Sequence, residues 1–187
     1  MVTQVALIAL IILLLSLLIG ASYNSFIHRK NALQYAYQGL EVQLQKRHEL
    51  LPKLAEVVQT SAQFEFRLIE ETNKLLSGGT VKEIGLPAIL ERENKIARSI
   101  LQFTREINGD AALRQQKSFV HLQQSITEVE AQISAARRAY NAAAMEYNNA
   151  IEMFPTVLFA TLSRMKRVDT MDLLVIEPDY MSFEQRP

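Results

Sequence analysis

Arg47, His48 and Glu49 place a guanidinium, an imidazole and a carboxylate on three consecutive residues. An imidazole beside a carboxylate is the pairing that general acid/base catalysis uses, and His is also the commonest metal ligand. The spacing argues against both roles. These residues fall in a helical pattern, where neighbouring side chains diverge by about 100° and do not face each other. A helical metal pair needs a second ligand one turn on, and Pro52 occupies that position. The residues are read instead as makers of interhelical hydrogen bonds or salt bridges, worth about 1 kcal/mol or less where exposed.

A second polar concentration comprises Arg137, Arg138, Tyr140, Asn141, Tyr147 and Asn148. Arg137, Tyr140, Asn141, Tyr147 and Asn148 recur at helical spacings and share a broad face. Two readings stand side by side. The face is a polar ladder that fixes register against Arg47 or Glu41, or serves a partner. Alternatively, the tyrosines pack with hydroxyls at the edge while Asn and Arg are solvated. His28 and His121 stand alone and are expected at the surface. The chain has no Cys, which removes disulfides, thiolate nucleophiles and Cys-based zinc sites. No enzymatic activity, cofactor or metal is expected, and Arg47, His48, Glu49, Pro52, Arg137, Tyr140, Asn141, Tyr147 and Asn148 are carried forward as structural or interaction residues.

The elements that position them are helical. Phe119, Leu122, Ile126, Val129, Ile133, Ala136, Tyr140, Ala143, Tyr147, Ala150 and Phe154 alternate three and four apart, the pattern of long-bundle or coiled-coil packing. Asp110 is a plausible N-cap and Phe154-Pro155 a sensible stop. Ala131, Ala135, Ala136, Ala139, Ala142, Ala143 and Ala144 narrow this helix, which implies a close helical partner. An earlier stripe runs through Tyr23, Phe26, Leu33, Tyr37, Leu40, Leu44, Leu51, Leu54 and Val58, with Phe64, Leu68, Leu75 and Leu76 beyond it. Pro52 should kink this helix without ending it, and Ser77-Gly78-Gly79-Thr80 should end it. After Gly85, Pro87 suits the first turn of another helix, which buries Leu90, Ile96, Ile100, Phe103 and Ile107.

The earlier stripe begins where a nearly unbroken apolar run stops. Residues 2–21 are interrupted only by Thr3, Gln4 and Ser16, and some 20 helical residues span roughly 30 Å, the thickness of a bilayer core. A cleaved signal peptide and a buried core helix are the competing readings. The run lacks a basic n-region and is long for a signal peptide, which favours an uncleaved single-pass anchor. Arg29 and Lys30 follow the run and nothing basic precedes it, so the bulk of the chain is placed in the cytoplasm, with a periplasmic or other extracytoplasmic position left open. The expected divisions are an anchor over 1–22, a helical bundle over 23–155, and an amphipathic segment with a tail over 156–187.

Lys and Arg together number 20 and so do Asp and Glu, so the net charge is zero. Nucleic acid is therefore not an expected partner, because phosphate binding needs a basic surplus. Helix lengths raise a packing question: a first helix over 24–76 would run about 80 Å, the Pro87 helix about 30 Å and the last about 65 Å. A bend in the first helix together with self-association would cover the surplus seam. Thr156 to Arg167 mixes Val157, Leu158, Phe159, Leu162 and Met165 with Arg164, Lys166 and Arg167. It either folds back to cap the bundle or lies in a membrane interface. Leu173-Leu174-Val175-Ile176 either adds a strand to another chain or packs on the bundle.

The stretch Glu41-Val42-Gln43-Leu44-Gln45-Lys46-Arg47-His48-Glu49-Leu50-Leu51-Pro52-Lys53-Leu54 resembles the signature of the LemA family. Glu130-Ala131-Gln132-Ile133-Ser134-Ala135-Ala136-Arg137-Arg138-Ala139-Tyr140-Asn141, continuing to Tyr147-Asn148-Asn149-Ala150-Ile151-Glu152-Met153-Phe154-Pro155, is similar to a second family pattern. Gln45, Lys53 and the apolar tail depart from that pattern. The resemblance implies a bacterial or archaeal single-pass protein of the cell (inner) membrane, all-α, with an up-and-down antiparallel helical bundle. It implies no settled activity. The expected function is a non-enzymatic, membrane-anchored scaffold that self-associates and organises or remodels membrane. Its expected partners are membrane lipid and further copies of itself. The alternative is an adaptor presenting its bundle to a membrane protease, a sensor or another membrane-protein partner.

Overall fold

The computed structural model describes residues 1–59, 70, 74–76, 86–109 and 115–176. Four helices follow one another: α1 (Val2–Gln59), α2 (Leu86–Gly109), α3 (Lys117–Glu152) and α4 (Thr156–Leu162). The fold is all-α, and no strand occurs among the described residues. Two units divide the chain, one from Met1–Gln38 and Ala139–Thr170, the other from Gly39–Arg138 and Met171–Pro187.

In the first unit, the apolar run forms the start of α1. Among the described residues this is the one helix long and apolar enough to cross a membrane, and none of its most apolar stretch is buried. Its hydroxyls are satisfied locally: Ser16 donates to the Leu13 carbonyl at 2.8 Å and Ser22 to that of Leu18 at 2.7 Å. That matters in hydrocarbon, where an unpaired polar group costs several kcal/mol, roughly. Helix α1 continues without a break past Gly20 into the stripe beginning at Tyr23.

The core of this unit gathers Phe26, Tyr147, Ala150, Ile151 and Ala160, with Ile27, Leu33, Met165 and Val168 packed against it. Aromatic contacts join its helices: Tyr23 meets Phe159 edge-on with ring centroids 5.6 Å apart, and Tyr37 meets Tyr140 at 6.3 Å. Helix α4 ends in a Schellman arrangement. The Arg164 N–H reaches the Thr161 carbonyl, the Met165 N–H reaches that of Ala160, and Arg164 takes φ 51°.

In the second unit, Leu51, Leu54 and Ala55 of α1 pack with Ile96, Ala97, Ile100 and Phe103 of α2 and with Phe119, Leu122 and Ile126 of α3. Ile176 joins the same core from the C-terminal segment. Pro87 lies in the first turn of α2, and α1 passes through Pro52 as helix.

Several expectations are corrected. Phe154, placed at the end of the α3 stripe, is 76% exposed, because α3 stops at Glu152 and Phe154 lies in the following turn. Gln115 and Gln116 are non-helical, so α3 starts at Lys117 and not after Asp110. Of the alanines that narrow α3, Ala131, Ala135, Ala139 and Ala142 are exposed, whereas Ala136 and Ala143 are half-buried and Ala144 is fully buried. Asp110 itself, the Ser77-Gly78-Gly79-Thr80 stop, Gly85, Phe64, Leu68, and the side chains of Val58 and Ile107 lie outside the described residues. Residues 70 and 74–76, on the expected extension of the first helix, are helical.

Candidate functional site

Each of the three long helices carries one charged residue at a position that its apolar seam would otherwise fill. On α1 the seam runs Leu40, Leu44, Arg47, Leu51, Leu54; on α2 it runs Ile89, Glu93, Ile96, Ile100, Phe103; on α3 it runs Ile126, Glu130, Ile133. Four-three spacing holds each on the core face of its helix. All three side chains are 1% exposed. Burying ions costs several kcal/mol each, roughly, unless they are paired, so the three charges must meet.

They do. Arg47 Nη2 lies 2.7 Å from Glu93 Oε2 and donates also to the Glu93 carbonyl at 3.1 Å. Its Nη1 reaches Glu130 Oε1 at 3.5 Å. Glu93 has further partners: His48 Nε2 stands 2.9 Å from Oε1, and Arg92 Nη2 stands 3.3 Å from the same oxygen. Glu130 instead accepts the Ile176 N–H at 3.2 Å.

The two carboxylates consequently differ. Burial pushes Glu93 upward, but the His48 hydrogen bond and the charges of Arg47 and His48 outweigh it and hold its pKa below the usual glutamate value. Burial dominates at Glu130 and raises its pKa, despite the Arg47 charge and the Ile176 N–H. Glu93 therefore keeps its charge to lower pH than Glu130 does.

Chemically the cluster is a three-helix clamp. Arg47 Nε is buried without a hydrogen-bond partner, and the guanidinium is spent on Glu93 and Glu130. Among the described residues no group of three or more His, Asp or Glu is disposed to hold a metal ion. Glu49 is exposed and does not join His48, and Pro52 is exposed one turn on.

A second set of polar side chains holds backbone. In the second unit, Asn94 Oδ1 accepts the Leu174 N–H at 2.7 Å, while Arg137 donates to the Leu173 carbonyl at 2.9 Å. Met171, Leu173 and Ile176 are buried beneath these contacts. In the first unit, Asn148 brackets Val168, donating to its carbonyl at 2.9 Å and accepting its N–H at 3.0 Å. Tyr140 donates to the Asp169 carbonyl at 3.1 Å, and burial raises its pKa, as it does that of Tyr147. The residues after α4 thus pack on their own chain as an extended segment.

A family model of the LemA family matches residues 36–177. The chain belongs to the LemA family. No curated protein and no solved structure matches it. The LemA match contains the whole Arg47, Glu93 and Glu130 cluster together with Asn94, Arg137, Tyr140, Asn148 and the segment ending at Ile176.

The structure sorts the residues singled out in this LemA chain. Arg47 and His48 enter the ion cluster; Arg137, Tyr140 and Asn148 secure the return segment; Tyr147 packs on Phe26 with centroids 6.2 Å apart. Asn141 is half-buried on α3. The polar ladder against Arg47 or Glu41 is replaced by this arrangement, because Arg47 is taken by Glu93 and Glu130. Glu93, Glu130 and Asn94 join these contacts although spacing alone left them unmarked. Their signal was a charge or amide on, or beside, the four-three seam of α2 and α3.

Proposed function

We propose that this LemA-family chain is a non-enzymatic scaffold, anchored in the cell membrane by residues 2–21, that self-associates and organises or remodels the bilayer around it. The observation that carries the reading is the continuity of α1, within the first unit, from the apolar run into the packed core. A helix with no flexible joint at residues 20–24 transmits the orientation of what packs on it to the span in the membrane. Copies confined to two dimensions gain effective concentration, and a repeated contact at fixed angle imposes curvature. Exposed apolar side chains outside the span, including Tyr35 and Met145 in one unit and Val42 and Val120 in the other, supply surface for such contacts. Arg29 and Lys30, beyond the span, favour a cytoplasmic bundle.

The test is mass measurement and electron microscopy of the full chain purified in mild detergent. Discrete oligomers or arrays are expected; monomers over a wide concentration range would overturn the scaffold.

An adaptor for another membrane protein is the second reading. A groove of about 510 Å³ lined by Leu50, Lys53, Glu56, His121, Leu122 and Ser125 favours it. Crosslinking in cells separates the two, since a scaffold gives a dominant self-crosslink and an adaptor a single foreign one.

A further inference from the structure

Helix α4 has two unlike faces. One packs inward: Ala160 is 3% exposed in the core of the first unit, and Phe159 rests on Tyr23 of α1. The other carries Leu158 and Leu162, four residues apart and therefore in line, at 62% and 85% exposure, and Met153 and Phe154 in the turn before α4 are exposed as well, at 62% and 76%. A contiguous apolar ridge in water needs a partner. Within the same unit, Tyr23 is two residues past Ala21, where the apolar run of α1 stops, a rise of about 3 Å along the helix. Contact with Tyr23 thus sets α4 at the level where the membrane span ends. Arg164, Lys166 and Arg167 follow the ridge directly and are exposed, with Arg167 paired to Glu152. An apolar ridge with cations beside it matches the boundary between acyl chains and head groups, where interfacial helices settle roughly 5–10 Å deep.

We infer that the Phe154, Leu158 and Leu162 ridge is a lipid-binding surface, seated in the head-group boundary of the bilayer that α1 crosses, with the Arg164 and Lys166 side chains at the lipid phosphates. This rests on the reading of α1 as a membrane span. It adds a second insertion beside each span, so that each copy occupies more area in one leaflet than in the other. The inward face of α4 caps the core at the same time, so capping and interfacial binding are two faces of one helix.

The absence of Cys makes the test direct. Full-length Leu162→Cys, Leu158→Cys, Leu13→Cys and Met145→Cys variants are each labelled with an environment-sensitive fluorophore. They are reconstituted in phosphatidylcholine and phosphatidylglycerol vesicles whose lipids carry a nitroxide either near the head group or deep in the acyl chain. Labels at 158 and 162 are expected to emit at shorter wavelength than in water and to be quenched more by the shallow nitroxide than by the deep one. The label at 13 should show the reverse order, and that at 145 should be quenched by neither nitroxide. Water-like, unquenched emission from 158 and 162, with deep quenching at 13, would overturn the inference and leave the span in place. Absence of quenching at 13 would overturn the span itself. A wavelength shift at 158 and 162 that lipid nitroxide does not quench, and that mixing with unlabelled protein alters, would assign the ridge to a second copy and overturn the lipid surface.

Discussion

The backbone N–H of Ile176 donates to Glu130 Oε2 at 3.2 Å, across 46 residues of sequence. The same carboxyl faces Arg47 through its other oxygen at 3.5 Å. Closing the C-terminal segment onto the second unit and completing its buried ion cluster are therefore one event, sharing one side chain.

The two carboxylates should respond differently to neutralisation. Glu93→Gln leaves Arg47 with Glu130 alone and should cost about 3–5 kcal/mol, the usual consequence of an uncompensated buried charge. Glu130→Gln keeps an acceptor for Ile176 and should cost about 1 kcal/mol, the scale of one net hydrogen bond. Chemical unfolding of the full chain in detergent measures both. Equal losses would refute the asymmetry.

Stability should bend with pH in a way these two residues explain. The ordinary glutamate value is 4.5. Below it, down to the depressed pKa of Glu93, the unfolded chain binds more protons, so the Glu93 contribution is lost as pH falls. Above it, up to the raised pKa of Glu130, the folded chain binds more, so the Glu130 contribution is lost as pH rises. In unfolding free energies measured across that range, wild type should lose stability as pH rises and Glu130→Gln should not, so the deficit of the variant is largest near pH 4.5 and shrinks as pH rises.

Asn94 should govern the return segment without governing the helices. Asn94→Ala removes the acceptor for the Leu174 N–H at a cost of about 1–2 kcal/mol. Hydrogen exchange should quicken at Leu174 and Ile176 while the α2 amides keep their protection. Unchanged exchange at Leu174 would show that burial of Leu173 and Ile176 alone holds the segment.

Arg164 occupies a left-handed conformation at φ 51°. A side chain there costs roughly 1–2 kcal/mol, which glycine avoids. Arg164→Gly should therefore raise thermal stability in detergent, where no lipid phosphate is at stake. A fall in stability would reveal an interaction of the Arg164 side chain that outweighs its backbone strain.

The helices were legible because apolar residues repeat at three and four: Phe119, Leu122, Ile126, Ile133, Tyr140, Tyr147 and Ala150 are all buried as the stripe on α3 requires. The ion cluster was harder. A stripe on a helix leaves a choice between adjacent residues, and here Glu130 takes the buried place beside which Val129 is only half-buried. Nothing local announces that choice, since a carboxylate is admitted to a core only when a cation arrives from another helix. The return segment was harder still: extended backbone held by side chains has no period, so Leu173-Leu174-Val175-Ile176 fits equally well beside its own helices or another chain's strand. Exposure of Phe154 follows from three-dimensional position at the end of α3, which a linear stripe cannot foresee.

Neither of the two units is a continuous piece of chain: each takes one early stretch and one late stretch, exchanging at residues 38–39, 138–139 and 170–171. A growing chain therefore exposes residues 1–38 long before the residues that complete their unit exist. The second unit likewise waits for Ile176. Neither can be finished in order of synthesis, and neither can be cut out as a fragment without losing part of its own core. Closure of either core consequently waits on residues near the far end of the sequence, and an early helix spends that interval without the side chains that will cover it.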